Sequence, residues 1–214
     1  ELAEDGFLIS PFMADALKVK WHGDPISYQL FPAPEDEQYV KALLTKKGVN
    51  QAVDKVIAMH VGCHGLAKKH SSWFKKSRHE KVWPLKNFVK LSKKLLTTYP
   101  GAKIIVTGSK AEEVLAGKFL KKVPQAISLA NQTNIAQLSA LFKQVDLFVC
   151  SDTGTLHVAC AMQTHLIGLY GPTDISQTGP YPPSNKFLVL QQDDLAKLPA
   201  DAVFSAAQQF LSSE

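Results

Sequence analysis

The run Cys150-Ser151-Asp152-Thr153-Gly154-Thr155-Leu156-His157 brings together the residue types that bind an oxyanion. Leu147 to Cys150 reads as a buried strand and Gly154 to Met162 as a helix, with small hydrogen-bonding residues between them. The first N–H groups of a helix have no carbonyl of their own to bond, and the helix dipole adds positive potential there. Gly154 allows a ligand to approach the backbone closely. The Thr153 and Thr155 hydroxyls flank that point, and His157, one turn into the helix, could reach the same anion. The same spacing also fits a structural role, in which Asp152 or Thr153 caps the helix and His157 packs on the core.

Three further loops carry polar chemistry at strand ends. Gly62-Cys63-His64-Gly65 leads into a basic segment that ends Lys81-Val82-Trp83-Pro84. A lysine just before a helix start suits a phosphate, although Lys81 taken alone could equally be a solvated charge. The connection Leu66 to Lys81 is long, as functional loops tend to be. Thr107-Gly108-Ser109 precedes Glu112 and Glu113, carboxylates that could accept from ribose hydroxyls or simply favour a helix N-terminus. Gly171-Pro172-Thr173-Asp174 with Thr178-Gly179-Pro180-Tyr181 is a turn-rich loop, either a lid or a tight connection.

His60, Cys63, His64, His70 and His79 lack the spacing of a metal site, and no Asp-x-Asp triplet is available to hold a divalent cation on a diphosphate. Metal binding is not indicated. There is no GxGxxG, GxxxxGK[ST] or GxSxG run, which weighs against a dinucleotide oxidoreductase, a P-loop NTPase and the common hydrolase elbow.

The elements that must position these loops alternate. Residues 1 to 34 are irregular and punctuated by proline, with a short strand expected at Ile26 to Phe31. A helix opens at Pro34-Glu35-Asp36-Glu37, runs to about Lys47 and ends at Gly48 and Asn50. Strands follow at Val56–Val61, Lys103–Thr107, Ala126–Leu129, Leu147–Cys150, Leu166–Tyr170 and Phe187–Leu190. Helices are expected from Pro84 with the stripe Leu85, Phe88, Leu91, Leu95; from about Ala111 to Lys121; from the Asn134 cap, burying Ile135, Leu138, Leu141 and Phe142; from Gly154 to Met162; and from about Asp201 to Leu211. Asn134 with Gln137 three residues on makes a capping box. Short apolar strands alternating with helices predict an α/β fold, a Rossmann-like parallel sheet with helices on both faces, whose ligands bind beyond the carboxyl ends of the strands.

The 214 residues are about 45% apolar and 20% charged, enough for a packed core. No apolar run reaches the roughly 18 residues of a membrane-spanning helix. The start, Glu1-Leu2-Ala3-Glu4-Asp5-Gly6, has neither an initiator Met nor the marks of a signal peptide, and is expected to be an internal point of a longer chain. Three cysteines without a CxxC pair fit a reducing compartment. The net charge of +5 is uneven: residues 68 to 94 hold ten Lys/Arg and one acid, while the rest of the chain is net negative by four. That asymmetry suggests an anionic partner, or a solvated helix face with a loop beside it.

Taken in order, His60-Val61-Gly62, Lys81-Val82-Trp83-Pro84, Thr107-Gly108-Ser109 with Glu112, Asp152-Thr153-Gly154-Thr155-Leu156-His157-Val158-Ala159-Cys160-Ala161 and Gly171-Pro172-Thr173-Asp174 form a set. The set resembles the C-terminal half of glycosyltransferase family 9, the ADP-heptose:lipopolysaccharide heptosyltransferases. The D-[ST]-G-x-x-H-x-A-x-A run followed by G-P-T is its most specific part. The resemblance covers about residues 55 to 190, and residues 1 to 54 only as the expected tail of another domain and a linker. It implies the GT-B architecture, two Rossmann-like domains across a cleft. Residues 1–34 would then be the remnant of an N-terminal acceptor domain and linker, and 35–214 the C-terminal nucleotide-sugar-binding domain.

By position, the resemblance implies that Lys81 neutralises donor phosphate with Ser77 near it, Glu112 holds ribose and Thr133 lies by the adenosine. Asp152, Thr153, Gly154 and His157 would bind the diphosphate end. Lys81 and His157 would be the catalytic groups, stabilising the leaving diphosphate without a metal or cofactor. The expected donor is ADP-heptose and the acceptor a lipid-linked saccharide of the lipopolysaccharide inner core, placing the protein in the bacterial cytoplasm. The basic segment Lys68 to His79, longer than the resemblance leads one to expect, could contact the anionic inner leaflet. The carboxylate proposed as general base in the family belongs to the acceptor half, so no residue here inherits that role, and this chain is expected to bind nucleotide without turning over alone. Two alternatives remain: another GT-B transferase using a UDP- or GDP-sugar, or a non-catalytic nucleotide- or RNA-binding module stacking bases on Trp73, Phe74 and Trp83. Against the latter stands the lack of RNP, KH or helix-turn-helix patterns, so no nucleic acid partner is expected.

Overall fold

The structure, a computed structural model, describes residues 29–62 and 82–212. Its strands are β1 (Val56–His60), β2 (Lys103–Thr107), β3 (Ile127–Ser128), β4 (Leu147–Ser151), β5 (Leu166–Tyr170) and β6 (Phe187–Gln191). They form one six-stranded sheet in the order β3-β2-β1-β4-β5-β6, parallel at every pairing. Every residue of β1, β4 and β5 is buried, as expected of strands covered on both faces. This is the doubly wound Rossmann order, whose switch point falls between β1 and β4.

The helices are α1 (Pro34–Lys46), α2 (Leu85–Thr98), α3 (Glu113–Leu120), α4 (Ile135–Phe142), α5 (Gly154–Ala161), α6 (Ile175–Thr178) and α7 (Ala200–Leu211). α1 begins at a proline, carries Glu35, Asp36 and Glu37 in its first turn and Lys46 in its last, and is stopped at Gly48, whose φ of +76° is left-handed. The strand residues alternate between two cores. Ile57, Met59, Ile104, Val106, Leu147 and Val149 pack with α2, α3 and α7 on one face. Val56, Ala58, Ile105, Phe148 and Cys150 pack with α1, α4 and α5 on the other. The helices that follow β1 and β4 therefore lie on opposite faces, the arrangement that marks a switch point in open α/β sheets.

The predicted elements are found with four local differences. Residues 29–31 are irregular; the rest of the strand expected at Ile26 to Phe31 lies outside the described residues. The helix expected from Ala111 begins instead with a 3-10 turn, Lys110–Glu112, because the Glu112 side chain folds back to the Ser109 amide. Ile135 is 69% exposed rather than buried. It sits in the first turn of α4, at the carboxyl edge of the sheet, and the covered face starts only at Leu138. The loop after β5 contains the short helix α6, capped by Asp174, whose Oδ1 accepts from the Ser176 amide at 2.9 Å.

Candidate functional site

Parallel pairing sets the polar residues in one row at the carboxyl ends of the strands. His60 ends β1 and stands beside Thr107 of β2 on one side and Cys150 of β4 on the other. Beyond Cys150 come Ser151, Asp152 and the start of α5. Thr153 occupies the N-cap position of α5 in extended conformation, yet no side chain caps the helix. Its hydroxyl is 2.9 Å from the Thr155 hydroxyl instead. Capping by Asp152 or Thr153, the structural alternative raised by the spacing, is therefore not made; the Leu156 amide donates to the Thr153 carbonyl at 3.0 Å, which leaves the Gly154 and Thr155 amides as the ones with capacity for an anion. A Cβ added to Gly154 would meet nothing within 4 Å, so the helix start faces open space.

His157 is half-buried one turn into α5. Burial lowers its pKa below the usual histidine value, and the charge of Asp152 offsets part of that effect. The neutral imidazole is thereby favoured. Asp152 is tied to the loop after β5, with the Thr178 hydroxyl donating to its Oδ2 at 3.4 Å. Tyr170 holds the same loop from below by donating its hydroxyl to the Thr178 carbonyl at 2.7 Å. Gln191 Nε2 donates to the carbonyls of Gly171 and Thr173 at 3.2 and 2.9 Å. The turn-rich segment is thus a braced wall beside the α5 start. Ser151 Oγ at the end of β4 and Thr173 Oγ1 in this wall are buried with no hydrogen-bond partner among the described residues.

Across the switch point, Glu112 faces the end of β1. One carboxylate oxygen is 3.1 Å from His60 Nε2. The other accepts from the Ser109 amide at 2.8 Å and its hydroxyl at 2.9 Å. Burial alone pushes this carboxyl up, but the bond to His60, its charge and the Ser109 donors together hold its pKa at about 2. Thr133 lies half-buried just before the Asn134 cap of α4. Backbone bonds from Leu129 to Val106 and from Asn131 to Gly108, both 2.8 Å, bring this segment alongside the Gly108–Glu112 turn. Burial also pushes the Cys150 thiol well up, so it stays protonated and structural.

The family model described as glycosyltransferase family 9 (heptosyltransferase) matches residues 31–206. The chain belongs to glycosyltransferase family 9. It is 28% identical over 123 residues to lipooligosaccharide heptosyltransferase 2 of Haemophilus influenzae, covering 55% of this chain and 35% of that protein. The crystal structure of a glycosyl transferase of family 9 from Veillonella parvula aligns with a TM-score of 0.78 at 16% identity, over 94% of this chain and 59% of that one. The structure of E. coli ADP-heptose lipopolysaccharide heptosyltransferase II aligns with a TM-score of 0.67 at 20% identity, over 86% of this chain and 53% of that one. This family 9 chain thus spans between about a third and three-fifths of the length of these relatives.

Within the family 9 chain, Glu112, Thr133, Asp152, Thr153, Gly154 and His157 all fall at the carboxyl ends of the strands. Ser77 and Lys81, with Cys63, His64 and the basic segment 68–80, lie outside the described residues. In the sequence His60 stands out as a metal-ligand candidate and as the head of His60-Val61-Gly62, and Ser151 and Thr173 only as polar members of their loops. The register that sets His60 beside Thr107 is a signal that the sequence lacks. Among the described residues, no three of His, Cys, Asp and Glu come together in a way that could hold a metal ion. Nor is any helix among them long and apolar enough to cross a membrane. A surface cavity of about 400 Å³ is lined by residues including Val53, Lys55, Tyr99 and Leu211. It lies at the amino ends of β1 and β2, away from this chemistry, and its one cation, Lys55, already donates to the Leu211 carbonyl.

Proposed function

We propose that this chain is the nucleotide-sugar-binding part of a GT-B glycosyltransferase that moves a heptose from ADP-heptose to the inner core of lipopolysaccharide. The observation that carries this reading is the uncapped start of α5 at the switch point, with Asp152 and His157 beside it, in a chain of family 9. In the reaction, the bond from the anomeric carbon to the diphosphate oxygen breaks, and its electron pair stays on the diphosphate. The acceptor hydroxyl oxygen bonds to that carbon, and its proton passes to a base supplied by the acceptor-binding half. Negative charge grows on the leaving group, and the α5 amides, His157 and Lys81 stabilise it where it develops. Glu112 holds the ribose, Thr133 lies by the adenosine and Ser77 by the phosphates. No metal takes part. The basic segment 68–79 approaches the lipid-linked acceptor at the cytoplasmic face of the inner membrane.

Calorimetric titration of the chain with ADP, UDP and GDP in EDTA tests the reading. It predicts saturable ADP binding that weakens in Lys81→Ala and in Asp152→Ala, and no heptose transfer by this chain alone. Preference for UDP or GDP would keep the reaction class and change the donor. Binding of oligonucleotides with a steep salt dependence, in place of mononucleotide binding, would replace the transferase reading by the nucleic-acid one. For the membrane contact, sedimentation with anionic liposomes should fall when the lysines of 68–79 are neutralised.

A further inference from the structure

His60 is a buried histidine, 5% exposed, that the proposed mechanism does not use. Both of its ring nitrogens are engaged. Nδ1 lies 3.2 Å from the Thr107 hydroxyl and Nε2 lies 3.1 Å from Glu112 Oε1. A carboxylate only accepts, so Nε2 carries a proton and donates it to Glu112. At Nδ1 stands the Thr107 hydroxyl, whose other neighbour is the Met59 carbonyl at 3.5 Å, and the β1–β2 register fixes where that hydroxyl stands. The opposite carboxylate oxygen is fixed by the amide and hydroxyl of Ser109. Glu112 is therefore gripped at both oxygens, from β1 on one side and from its own turn on the other. Such a grip exceeds what an acid needs merely to favour a helix start, since the capping box with Ser109 already does that. Gly62 completes it: a Cβ there would come within 2.0 Å of Glu112 Oε1.

We infer that His60 is a positioning residue that sets the Glu112 carboxylate for the ribose hydroxyls of the nucleotide. The inference rests on the donor-binding reading above and deepens it by naming what holds the ribose-binding acid in place. Thr107 orients His60, His60 orients Glu112, and Oε1 keeps lone-pair capacity for a hydroxyl donor. Thr107 and His60 both end strands, so the side of this relay that grips Glu112 is carried by the sheet.

The test compares ADP with 2′,3′-dideoxy-ADP by calorimetry on the 214-residue chain. The wild type should prefer ADP by about tenfold or more, the worth of a hydrogen bond to a charged group. His60→Leu should bring the ratio close to one by weakening ADP alone, while His60→Gln, whose amide can still donate to Glu112, should restore much of it. A wild-type ratio retained in His60→Leu overturns the inference and leaves the nucleotide reading standing. No ADP binding by the wild type overturns both. Should His60→Leu fail to fold, long-range proton–nitrogen NMR of the wild-type ring decides. ADP should shift the His60 Nε2 resonance and the dideoxy analogue should not; equal shifts, or none, overturn the inference.

Discussion

A Cβ built on Gly62 would stand only 2.0 Å from Oε1 of Glu112. The glycine after β1 is thus demanded by a side chain arriving from the next strand's loop, since its own φ is not left-handed. Gly62→Ala should drive the carboxylate off His60. On the donor-binding reading, ADP affinity then falls about tenfold or more, the loss expected for a charge-assisted hydrogen bond. The fold should survive, because the displaced group is the end of a flexible side chain. Calorimetry with a thermal melt checks this; an unchanged ADP affinity in a folded variant would remove Glu112 from the nucleotide site.

The same carboxylate sets a pH dependence. Its pKa is about 2 in the folded chain against an ordinary 4.5. A depressed folded value means that the unfolded chain binds the proton first as pH falls. The stabilisation from Glu112 is therefore complete above about 4.5 and lost as pH drops toward about 2. Glu112→Gln should be less stable than the wild type near neutral pH, with the gap closing through that window. Urea unfolding over a pH series reads this directly, and a gap independent of pH would show that the His60 and Ser109 bonds do not stabilise the charged form.

His157 works in the opposite electrostatic sense. Burial lowers its folded pKa, so the unfolded chain takes up its proton more readily just below the ordinary value of 6.5. Stability from this residue is full above 6.5 and falls as pH drops through it. A diphosphate beside the ring favours the imidazolium and raises the pKa again. ADP binding near neutral pH should therefore take up a fraction of a proton, and affinity should rise as pH falls toward 6 or so. Titrations in buffers of different ionisation enthalpy measure the uptake. His157→Gln should abolish it and weaken ADP by about 10- to 150-fold, the range for one hydrogen bond to a charged group. Undiminished proton uptake in that variant would place the titrating group elsewhere.

Most of the frame was legible because buried parallel strands read as short apolar runs, and the runs at Lys103–Thr107 and Leu166–Tyr170 match their strands end to end. The Asn134–Gln137 box was legible because capping is local, and both of its bonds are made, at 2.8 and 3.1 Å. What was not legible depends on register or on layer height. Ile135 fits the apolar period of α4 but stands above the covered layer, which period alone does not encode. His60 became interpretable only when parallel pairing put it between Thr107 and Cys150. The contact between Glu112 and His60 joins residues 52 apart in sequence, which no local pattern encodes.

Trp83 belongs to the Lys-x-Trp-Pro element, and its part in that element is packing. It is fully buried, stands edge-on to Phe88 with ring centroids 4.7 Å apart, and donates its Nε1–H to the Leu198 carbonyl at 2.9 Å. Asn87 Nδ2 donates to the same carbonyl at 3.2 Å. The indole thus pins the start of α2 to the segment that leads into α7. Trp83→Ala should cost about 3–5 kcal/mol. Trp83→Phe, which keeps most of the volume and loses the donor, should cost roughly 1–3 kcal/mol, since Asn87 still satisfies the carbonyl. Adding Asn87→Leu to Trp83→Phe should cost more than the two single changes together, because the buried carbonyl then loses both donors. ADP affinity in Trp83→Phe should stay within about threefold of the wild type once stability is accounted for. A loss of ADP binding in a fully folded Trp83→Phe chain would instead make the indole part of the nucleotide site.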